Sequence, residues 1–323
     1  MTGEPRIYRS LAEAEGVFAP AALTVGNFDG VHTGHRRIFR RVAAVAREHG
    51  WKPSALTFDP HPTRIVVPGR VPPRLTTLDE RCRLMAAEGI KQALVLPFDR
   101  KFSRLSPEEF VRDVLAAKLG VRAVLVGEGF RFGYRQSGGA EDLAVLGRRY
   151  GFLLEVIPKV AVRGRAVSSS EIRRLVERGQ VSLAARLLER PHSLEGEVVR
   201  GRGVGSKLIV PTLNLAPPEV VLPAAGVYIT RTTDLDGAAV WPSVTNVGRR
   251  PTFGEQGLAI ETHLLADLGG CSPRRIRIEF LRRLRDERPF PDPASLKAQI
   301  ERDAARARRF FRLSPHRLVC FCV

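Results

Sequence analysis

The sequence contains little cysteine, tryptophan and methionine: four, two and two residues in a chain of 323. Four scattered cysteines cannot supply the disulfide framework of a small secreted domain. Cys320 and Cys322 form a C-x-C pair with no second pair to match it. We therefore interpret them as incidental thiols in preference to metal ligands.

Long apolar runs are also missing, because no stretch approaches the ~18 residues of a membrane-spanning helix. The N-terminal sequence, MTGEPRIYRS, lacks the basic and then apolar layout of a secretory signal. We therefore expect a cytoplasmic protein without a membrane partner.

Acidic residues are in deficit, since 34 Asp and Glu face 52 Lys and Arg and give a formal charge of +18. Such a surface attracts phosphates. The arginines, however, are spread over helical segments such as residues 36–41 and 282–285, and no aromatic-interleaved patch accompanies them. We expect no specific nucleic acid partner and a general attraction for anionic nucleotides, and we leave weak self-association open.

The most informative stretch is residues 23–39, LTVGNFDGVHTGHRRIF. A short β-prone run enters a turn in which Gly26 and Gly30 permit a tight bend and Gly34 lets the backbone approach a phosphate. Apolar residues at helical spacing follow, and Gly50 stands where a C-terminal cap is expected. The free N–H groups of the helix start point into the turn, which predicts an anion site.

His32 and His35 are the chemically most informative residues of this stretch. A neutral imidazole donates a hydrogen bond to a phosphate oxygen, and an imidazolium also stabilises charge on a leaving pyrophosphate. Taken alone, such a pair is more often packed or solvated at a helix start. A zinc pair would need a third ligand such as the glutamate of H-E-x-x-H, which this segment lacks. The order of strand, glycine turn, histidines and helix favours the phosphate site.

Residues 1–190 alternate β-like apolar runs with helical segments, which predicts a Rossmann-like α/β domain with a parallel sheet. Ligands of such sheets bind beyond the C-terminal strand ends, so the loops there are expected to carry the site. The predicted strands are 23–25, 54–58, 93–96, 121–126 and 152–157, and further helices are predicted at 78–88, 107–119, 141–150 and 182–189.

Three of these loops contain candidate site residues. In TFDPHP, two prolines fix an extended backbone that either is simply stiff or holds Phe58 and His61 against a planar ring. After the fourth predicted strand, Phe130 and Phe132 either pack in the core, which is the default, or border a ligand. The triple serine at 168–170 is a helix cap, and such a helix start can also bind an anion.

After Pro191 the pattern changes to about six short β-rich runs without intervening helices, followed by a helix at 293–312. Residues 191–323 therefore predict a small antiparallel β-barrel. The G-x-G-x-G at 201–205 is weak evidence by itself, and no Walker A lysine–serine pair is present. The barrel strands are predicted at 197–200, 207–215, 227–232, 238–246, 258–265 and 275–280.

GNFDGVHTGH, TFDPHP and the triple serine, in this order, resemble the signatures of the HxGH nucleotidylyltransferases. The resemblance is specifically to the bacterial bifunctional riboflavin kinase and FMN adenylyltransferase (FAD synthetase) family. PTLN at 211–214, NVGRRPTFG at 246–254 and LRRLRDERPF at 281–290 extend it into the second half. It implies a nucleotidylyltransferase domain at 1–190 and a six-stranded flavokinase barrel with a terminal helix at 191–323.

The resemblance implies a role for each matching residue. His32 and His35 would be the catalytic pair of adenylyl transfer, and Glu261 the base that accepts the proton of the riboflavin 5′-hydroxyl. Thr212 and Asn214 would hold Mg²⁺ and ATP. The implied nucleotide-binding residues are Gly26, Phe28, Gly34, Ser169, Ser170, Arg173 and Gly203, and the implied flavin-binding residues are Phe58, Pro60, His61, Phe130 and Arg285.

Without the motifs, Glu261 would be interpreted as a solvated strand residue and Arg285 as an exposed arginine. Two positions depart from the family pattern: Gly129 stands where the family has Asp or Asn, and Ile209-Val210 where it has Gly-Phe.

Three functions are considered. The main hypothesis is an enzyme that makes FMN from riboflavin and FAD from FMN, with ATP as co-substrate and Mg²⁺ as cofactor. The second keeps adenylyl transfer alone, with a barrel degenerate around Ile209. The third is a flavin- or nucleic-acid-binding regulator on a retired enzyme scaffold.

Overall fold

The computed structural model describes residues 5–67, 69–199, 212–237, 239–249 and 258–314. The chain forms two compact units, one up to Ser169 and one from Ser170 onward. The segment before Arg190 belongs to the second unit by its contacts. The predicted boundary near Arg190 separates two functional domains, 1–190 and 191–323, and it stays a prediction.

The first unit is built on a six-stranded parallel sheet in the order β1-β4-β3-β2-β5-β6. A short antiparallel hairpin, β7 (Ala161–Val162) and β8 (Arg165–Ala166), follows it. The five predicted strands are confirmed within a few residues as β2 to β6, whereas the three-residue β1 escapes the sequence pattern. The sheet strands are β1 (Arg6–Tyr8), β2 (Ala21–Val25), β3 (Lys52–Phe58), β4 (Gln92–Leu96), β5 (Val121–Gly127) and β6 (Leu153–Ile157).

The central strands are covered on both faces. Every residue of β2 and β4 is buried, which explains their nearly continuous apolar sequence. Alternate side chains enter two cores on opposite faces of the sheet. Leu23 and Val25 lie in one core with Leu56 and Val124, and Ala22 lies in the other. The loops beyond these strands therefore begin at strand ends that are packed between two cores.

The strand order reverses at β2. The chain proceeds from β2 through β3 to β4 on one side and then returns to β5 and β6 on the other. Such a reversal opens a crevice at the carboxyl ends of the two strands where it occurs, here β2 and β5. The segment of residues 26–35 lies directly beyond β2 and therefore at this crevice.

The helices begin and end largely where the sequence predicts. Gly50 and Gly151 end two of them in the left-handed conformation expected of C-terminal caps. Ser106 and Glu109 form a capping box, but the predicted helix after them continues as a π-helix over Phe110–Lys118. In the described part of the chain, no helix has the length and apolarity needed to cross a bilayer. The α-helices are α1 (Leu11–Ala14), α2 (Thr33–His49), α3 (Thr63–Val66), α4 (Leu78–Ala87), α5 (Pro107–Glu109), α6 (Ala140–Tyr150), α7 (Ser169–Glu177), α8 (Val181–Leu188) and α9 (Pro293–Leu313).

The second unit is a closed antiparallel barrel in the order β10-β13-β12-β11-β14-β9, which confirms the predicted six-stranded barrel. Closure pairs each of these described strands on both sides. α8 packs against β14 and β9, and α9 packs against β12. The strands are β9 (His192–Val199), β10 (Thr212–Leu215), β11 (Gly226–Asp234), β12 (Val240–Arg249), β13 (Leu258–Leu264) and β14 (Arg275–Arg285).

Five fully buried hydroxyl residues share one region of the barrel interior, and we call Thr230, Thr232, Ser243, Thr245 and Thr262 the hydroxyl cluster. Thr245 Oγ1 donates to Thr262 Oγ1 at 2.8 Å and lies 2.7 Å from Thr230 Oγ1. Ser243 Oγ lies 2.8 Å from the hydroxyls of both Thr230 and Thr232. The members therefore satisfy one another, which offsets the cost of burying them.

We expect Thr245→Val to destabilise the barrel by about 1–3 kcal/mol, because the isosteric apolar side chain leaves two neighbouring hydroxyls short of a partner. The matched control is Thr233→Val. The Thr233 hydroxyl is buried without a hydrogen-bond partner among the described residues, so its removal is expected to be neutral or stabilising. Urea unfolding in a Trp51→Phe background, where Trp241 is the remaining tryptophan, measures both. Equal effects at the two positions would contradict this account of the hydroxyl cluster.

Candidate functional sites

Residues 26–35, which we call the glycine–histidine turn, follow β2 at the crevice of the parallel sheet. A Cβ on Gly26 would lie 2.9 Å from the ring of Phe28, so glycine lets this ring fold back beneath the turn. Phe28 is buried and contacts His35 and Phe39 edge-on, with ring centroids 5.3 and 4.8 Å apart. Phe28 therefore supports the turn from below, and its predicted contact with a nucleotide stays a prediction.

His32 and His35 lie together at the start of α2. Nδ1 of His32 accepts a hydrogen bond from the backbone N–H of His35 at 3.3 Å, so His32 is the N-cap of the helix. The two rings stack with centroids 3.6 Å apart. Because Nδ1 is the acceptor, the neutral His32 ring carries its proton on Nε2. A Cβ on Gly34 would lie 3.2 Å from this ring, so glycine leaves room for it.

Burial favours the neutral form of the His35 ring. Burial lowers its pKa well below the ordinary value, and the neighbouring His32 and Arg81 lower it further. Nδ1 of His35 is buried and has no hydrogen-bond partner in the described part of the chain. Of the two roles that the sequence leaves open for this histidine, hydrogen bonding fits this environment and permanent positive charge does not.

Asp29 ties the glycine–histidine turn to two distant segments. Its buried carboxylate accepts hydrogen bonds from the backbone N–H groups of Leu75 at 2.9 Å and Thr76 at 3.2 Å. Its backbone oxygen accepts the hydroxyl of Ser169 at 2.8 Å. Ser169, a predicted nucleotide-binding residue, thus contacts the turn. The sequence motifs alone do not identify Asp29, although an acidic residue inside a glycine turn is a signal that could have done so.

The TFDPHP loop, residues 57–62, lies beside the same turn. Nε2 of His61 lies 3.2 Å from Nδ2 of Asn27. Asp59 forms an ion pair with Arg74 at 2.7 Å, which links the loop to the segment that precedes α4. The structure therefore joins three segments that the sequence presents separately.

The aromatic residues near this loop are partly accessible. Phe58 is half-buried and packs edge-on against Phe98, with ring centroids 5.3 Å apart. Pro60 is also half-buried. Phe132 is buried in the core, as expected by default, and the half-buried Phe130 stacks on it at 5.6 Å. Phe130 thus combines core packing with an accessible surface.

Gly129 adopts a φ of +86°, in the left-handed region. Asp and Asn, which the resembling family has here, are among the residues that best tolerate this conformation after glycine. The departure therefore preserves the backbone. A Cβ at this position would lie 3.8 Å from Nζ of Lys159, so a cationic group borders the space that the missing side chain would occupy.

Ser170 and Arg173 follow Ser169 on α7 and belong to the second compact unit. Ser170 is exposed and Arg173 is half-buried. Their contribution to the first site stays a prediction.

A second constellation lies where β10, β13 and β12 pair. Asn214 is opposite Glu261, which is in turn opposite Asn246. Two residues along the strands, Thr212 is opposite His263. Directly opposed residues of antiparallel strands share a face, and so do residues two apart on one strand. These five side chains therefore form one patch, which faces outward because the alternate residues of β13 and β12 belong to the interior hydroxyl cluster.

A cavity of about 280 Å³ opens at this outer patch. Its wall includes Glu261 and His263 from β13 and Arg285 and Phe290 from the end of β14 and beyond. Nε of Arg285 is held by Asp303 at 2.9 Å, and its guanidinium lies 5.7 Å from the Phe290 ring centroid. The predicted base and the predicted flavin-binding arginine thus line the same cavity.

His263 belongs to the patch although no sequence motif identifies it. Nδ1 of His263 lies 3.0 Å from the hydroxyl of Thr212. Burial lowers the pKa of His263 and outweighs the opposing effect of the Glu261 carboxylate. A neutral imidazole can accept a hydrogen bond from the Thr212 hydroxyl. The lone pairs of the Thr212 oxygen then stay available for another ligand. Its position two residues after Glu261 on a strand is the signal that could have revealed it.

Several predictions concern residues outside the described ranges. Gly203, Ile209 and Val210 are among them, as are most of the NVGRRPTFG motif and the Cys320–Cys322 pair. The two described cysteines are free, Cys82 buried and Cys271 exposed.

Comparison with known proteins assigns both units. Residues 16–171 match the family described as FAD synthetase, and residues 188–311 match the family described as riboflavin kinase. The bifunctional riboflavin kinase/FMN adenylyltransferase of Pseudomonas fluorescens is 36% identical over 295 residues, which cover 91% of this chain and 94% of that protein. The protein of the same name from Escherichia coli K12 is 34% identical over 292 residues, which cover 90% and 93% of the two chains.

A solved structure described as a macrolide-efflux protein from Streptococcus pneumoniae covers 95% of this chain and 99% of its own. The TM-score is 0.83 at 24% sequence identity. This likeness shows the fold alone.

We expect the His35 imidazole to titrate below the ordinary histidine pKa of about 6.5, because its ring is buried beside His32 and Arg81. NMR titration measures this, and His35→Gln identifies the resonance. In His32→Asn the side-chain oxygen can still cap the helix, but one neighbour that depresses the pKa is gone, so the His35 pKa is expected to rise. A midpoint at or above 6.5 in the unaltered protein would refute the neutral histidine.

Proposed function

The chain belongs to the bifunctional riboflavin kinase/FMN adenylyltransferase family, and we propose that it makes FAD in two steps. The barrel unit phosphorylates riboflavin to FMN, and the parallel-sheet unit transfers an adenylyl group from ATP to FMN with release of pyrophosphate. The observation that carries this proposal is that each half of the chain matches its own family, FAD synthetase over 16–171 and riboflavin kinase over 188–311. Both reactions consume ATP, and we propose that they take place in the cytoplasm.

The two alternatives are less well supported. A barrel degenerate for the kinase reaction would have no reason to keep Glu261, Asn214 and Thr212 in one outward patch beside a cavity. A regulator on a retired scaffold would likewise not need two assembled polar sites.

In adenylyl transfer, an oxygen of the FMN phosphate forms a bond to the α-phosphorus of ATP while the bond to pyrophosphate breaks. A phosphate monoester dianion is already a nucleophile, so no side-chain base is required. The protein must align the two phosphates and offer hydrogen-bond donors to the charge that develops. We assign this task to His32, His35 and the N-terminus of α2, and their position at the sheet crevice supports the assignment.

The remaining residues of this site are assigned by segment. For the flavin we propose the accessible residues of the TFDPHP loop with Phe130, because the Asp59–Arg74 ion pair holds this loop beside the next segment. For ATP we propose the turn and the start of α7, which the Ser169 hydrogen bond to Asp29 supports. The flavin-binding residues are Phe58, Pro60 and His61 with Phe130, and the nucleotide-binding residues are Gly26, Phe28, Gly34, Ser169, Ser170 and Arg173.

In the kinase reaction, the riboflavin 5′-hydroxyl oxygen forms a bond to the γ-phosphorus of ATP while the bond to ADP breaks. We propose that Glu261 accepts the hydroxyl proton. Its place in the patch with Asn214 and in the same cavity as Arg285 supports this role. Arg285, fixed by Asp303, would contact the flavin.

Thr212 and Asn214 fit a magnesium site. Both offer neutral oxygens on one face of β10, and the Thr212 hydroxyl has His263 as a hydrogen-bond partner. This suits Mg²⁺, which proteins usually hold with few side chains and the phosphates of a substrate. When bound, the ion neutralises charge on the ATP phosphates.

We expect His32→Asn to lower FAD formation from supplied FMN by about 10²-fold or more, because Asn keeps the helix cap but removes an imidazole donor from the transition state. FMN formation from riboflavin should be unchanged. Chromatographic product assays with riboflavin and with FMN as separate substrates measure both. Undiminished FAD formation would remove His32 from the mechanism.

For Glu261→Gln we expect the opposite pattern to that of His32→Asn. Riboflavin phosphorylation should fall by about 10²–10⁴-fold because the general base is lost, while FAD formation from supplied FMN continues. The matched control is Glu197→Gln on β9, an exposed glutamate of the same barrel, which should leave both products unchanged. An unaltered protein that converts FMN to FAD but makes no FMN from riboflavin would favour the adenylyltransferase-only hypothesis.

A further inference from the structure

Arg81 is a buried cation beneath the first site. It lies on α4 and exposes only 3% of its surface. Within the described part of the chain, its guanidinium makes one hydrogen bond, a long one of 3.4 Å from Nη1 to the Thr57 hydroxyl. Nε is buried and has no hydrogen-bond partner among the described residues. A buried guanidinium in this state is costly, because lost hydration is not offset.

The carboxylates that act on this charge are already engaged. Asp29 and Asp59 both attract Arg81 electrostatically. The Asp29 carboxylate, however, accepts two backbone N–H groups, and Asp59 is ion-paired with Arg74 at 2.7 Å. Arg74 also adds a second positive charge nearby. Burial accordingly lowers the pKa of Arg81 despite these neighbours.

A buried arginine elsewhere in the chain is paired in full. Arg231 is 2% exposed and donates from Nε and Nη2 to the carboxylate of Glu279 at 2.6 and 2.8 Å. This bidentate pair is what a structural buried arginine requires. In the described part of the chain, no carboxylate forms such a pair with Arg81.

Arg81 lies between the two segments assigned to the substrates. Its charge acts on His35 in the glycine–histidine turn, and its hydrogen bond goes to Thr57 at the start of the TFDPHP loop. Adenylyl transfer requires the phosphate of FMN and the α-phosphate of ATP to meet beside these segments.

We propose that Arg81 is a charge-positioning residue of adenylyl transfer, whose under-paired guanidinium draws a substrate phosphate group into the space between the glycine–histidine turn and the TFDPHP loop. This inference rests on the function proposed for the parallel-sheet unit. The bound phosphate supplies the negative charge that the neighbouring side chains do not provide. Its attraction to the guanidinium offsets the desolvation cost of burying Arg81. Two substrates carry such a group, FMN and ATP, and the test separates them.

The first measurement is thermal unfolding with and without inorganic pyrophosphate. In a Trp241→Phe background, Trp51 is the remaining tryptophan and reports on the parallel-sheet unit. Arg81→Met is expected to melt at or above the temperature of its parent and to lose most of the stabilisation by pyrophosphate. Arg81→Lys keeps the charge and should restore that response. The structural control, Arg231→Met followed through Trp241 in a Trp51→Phe background, should melt lower, because it leaves Glu279 unpaired.

The second measurement is FAD formation from supplied FMN. Arg81→Met should reduce kcat/KM by about 10-fold or more, and Arg81→Lys should recover most of it. A raised KM for FMN assigns the charge to the phosphate monoester, and a raised KM for ATP assigns it to the triphosphate.

A lowered melting temperature of Arg81→Met with an intact pyrophosphate response would overturn the proposal and make Arg81 structural. An unchanged kcat/KM would also overturn it. If the unaltered protein forms no FAD at all, the proposed function fails instead, and the pyrophosphate response still decides whether Arg81 serves a phosphate group.

Discussion

The buried carboxylate of Asp29 is the interaction on which the first site depends. It lies within the glycine–histidine turn and accepts backbone N–H groups 46 and 47 residues away, while its own carbonyl accepts the hydroxyl of Ser169, 140 residues away. Buried backbone N–H groups require acceptors, and an ionised acceptor makes the stronger bond. One residue, through its carboxylate and its backbone oxygen, therefore links three segments of the first unit.

The charge state of the side chains in this site depends more on their burial than on the net charge of the chain. The chain carries a formal charge of +18, yet burial lowers the pKa of His35 and favours its neutral form. Positive potential comes instead from groups that do not titrate near neutral pH, namely the N-terminus of α2 and, in the proposed arrangement, Arg81. In the proposed arrangement, the attraction for phosphates therefore persists over a broad pH range.

In the closed barrel, successive side chains of a strand alternate between the interior and the outer surface. The strand register therefore affects both the stability of the barrel and the geometry of the second site. Along β13, Glu261 faces the outer patch, Thr262 enters the hydroxyl cluster, and His263 faces the patch again. A slip of one residue would bury the carboxylate and expose the hydroxyl. The hydroxyl cluster therefore helps to fix the register in which Glu261 lies opposite Asn214 and Asn246.

The sequence by itself determined the class of each unit, the strands β2 to β6, the six-stranded barrel and the helix that follows the two histidines. These are local properties, since apolar periodicity, glycine caps such as Gly50 and the order of motifs can be recognised within a few residues. Tertiary structure alone decided the contacts of Asp29, Arg81 and His263, whose described partners lie 46, 24 and 51 residues away. It also decided that His35 is buried, which lowers the pKa of its imidazole. Protonation and pairing depend on burial and on the segments that folding brings together, and neither is recorded in the spacing of residues along the chain.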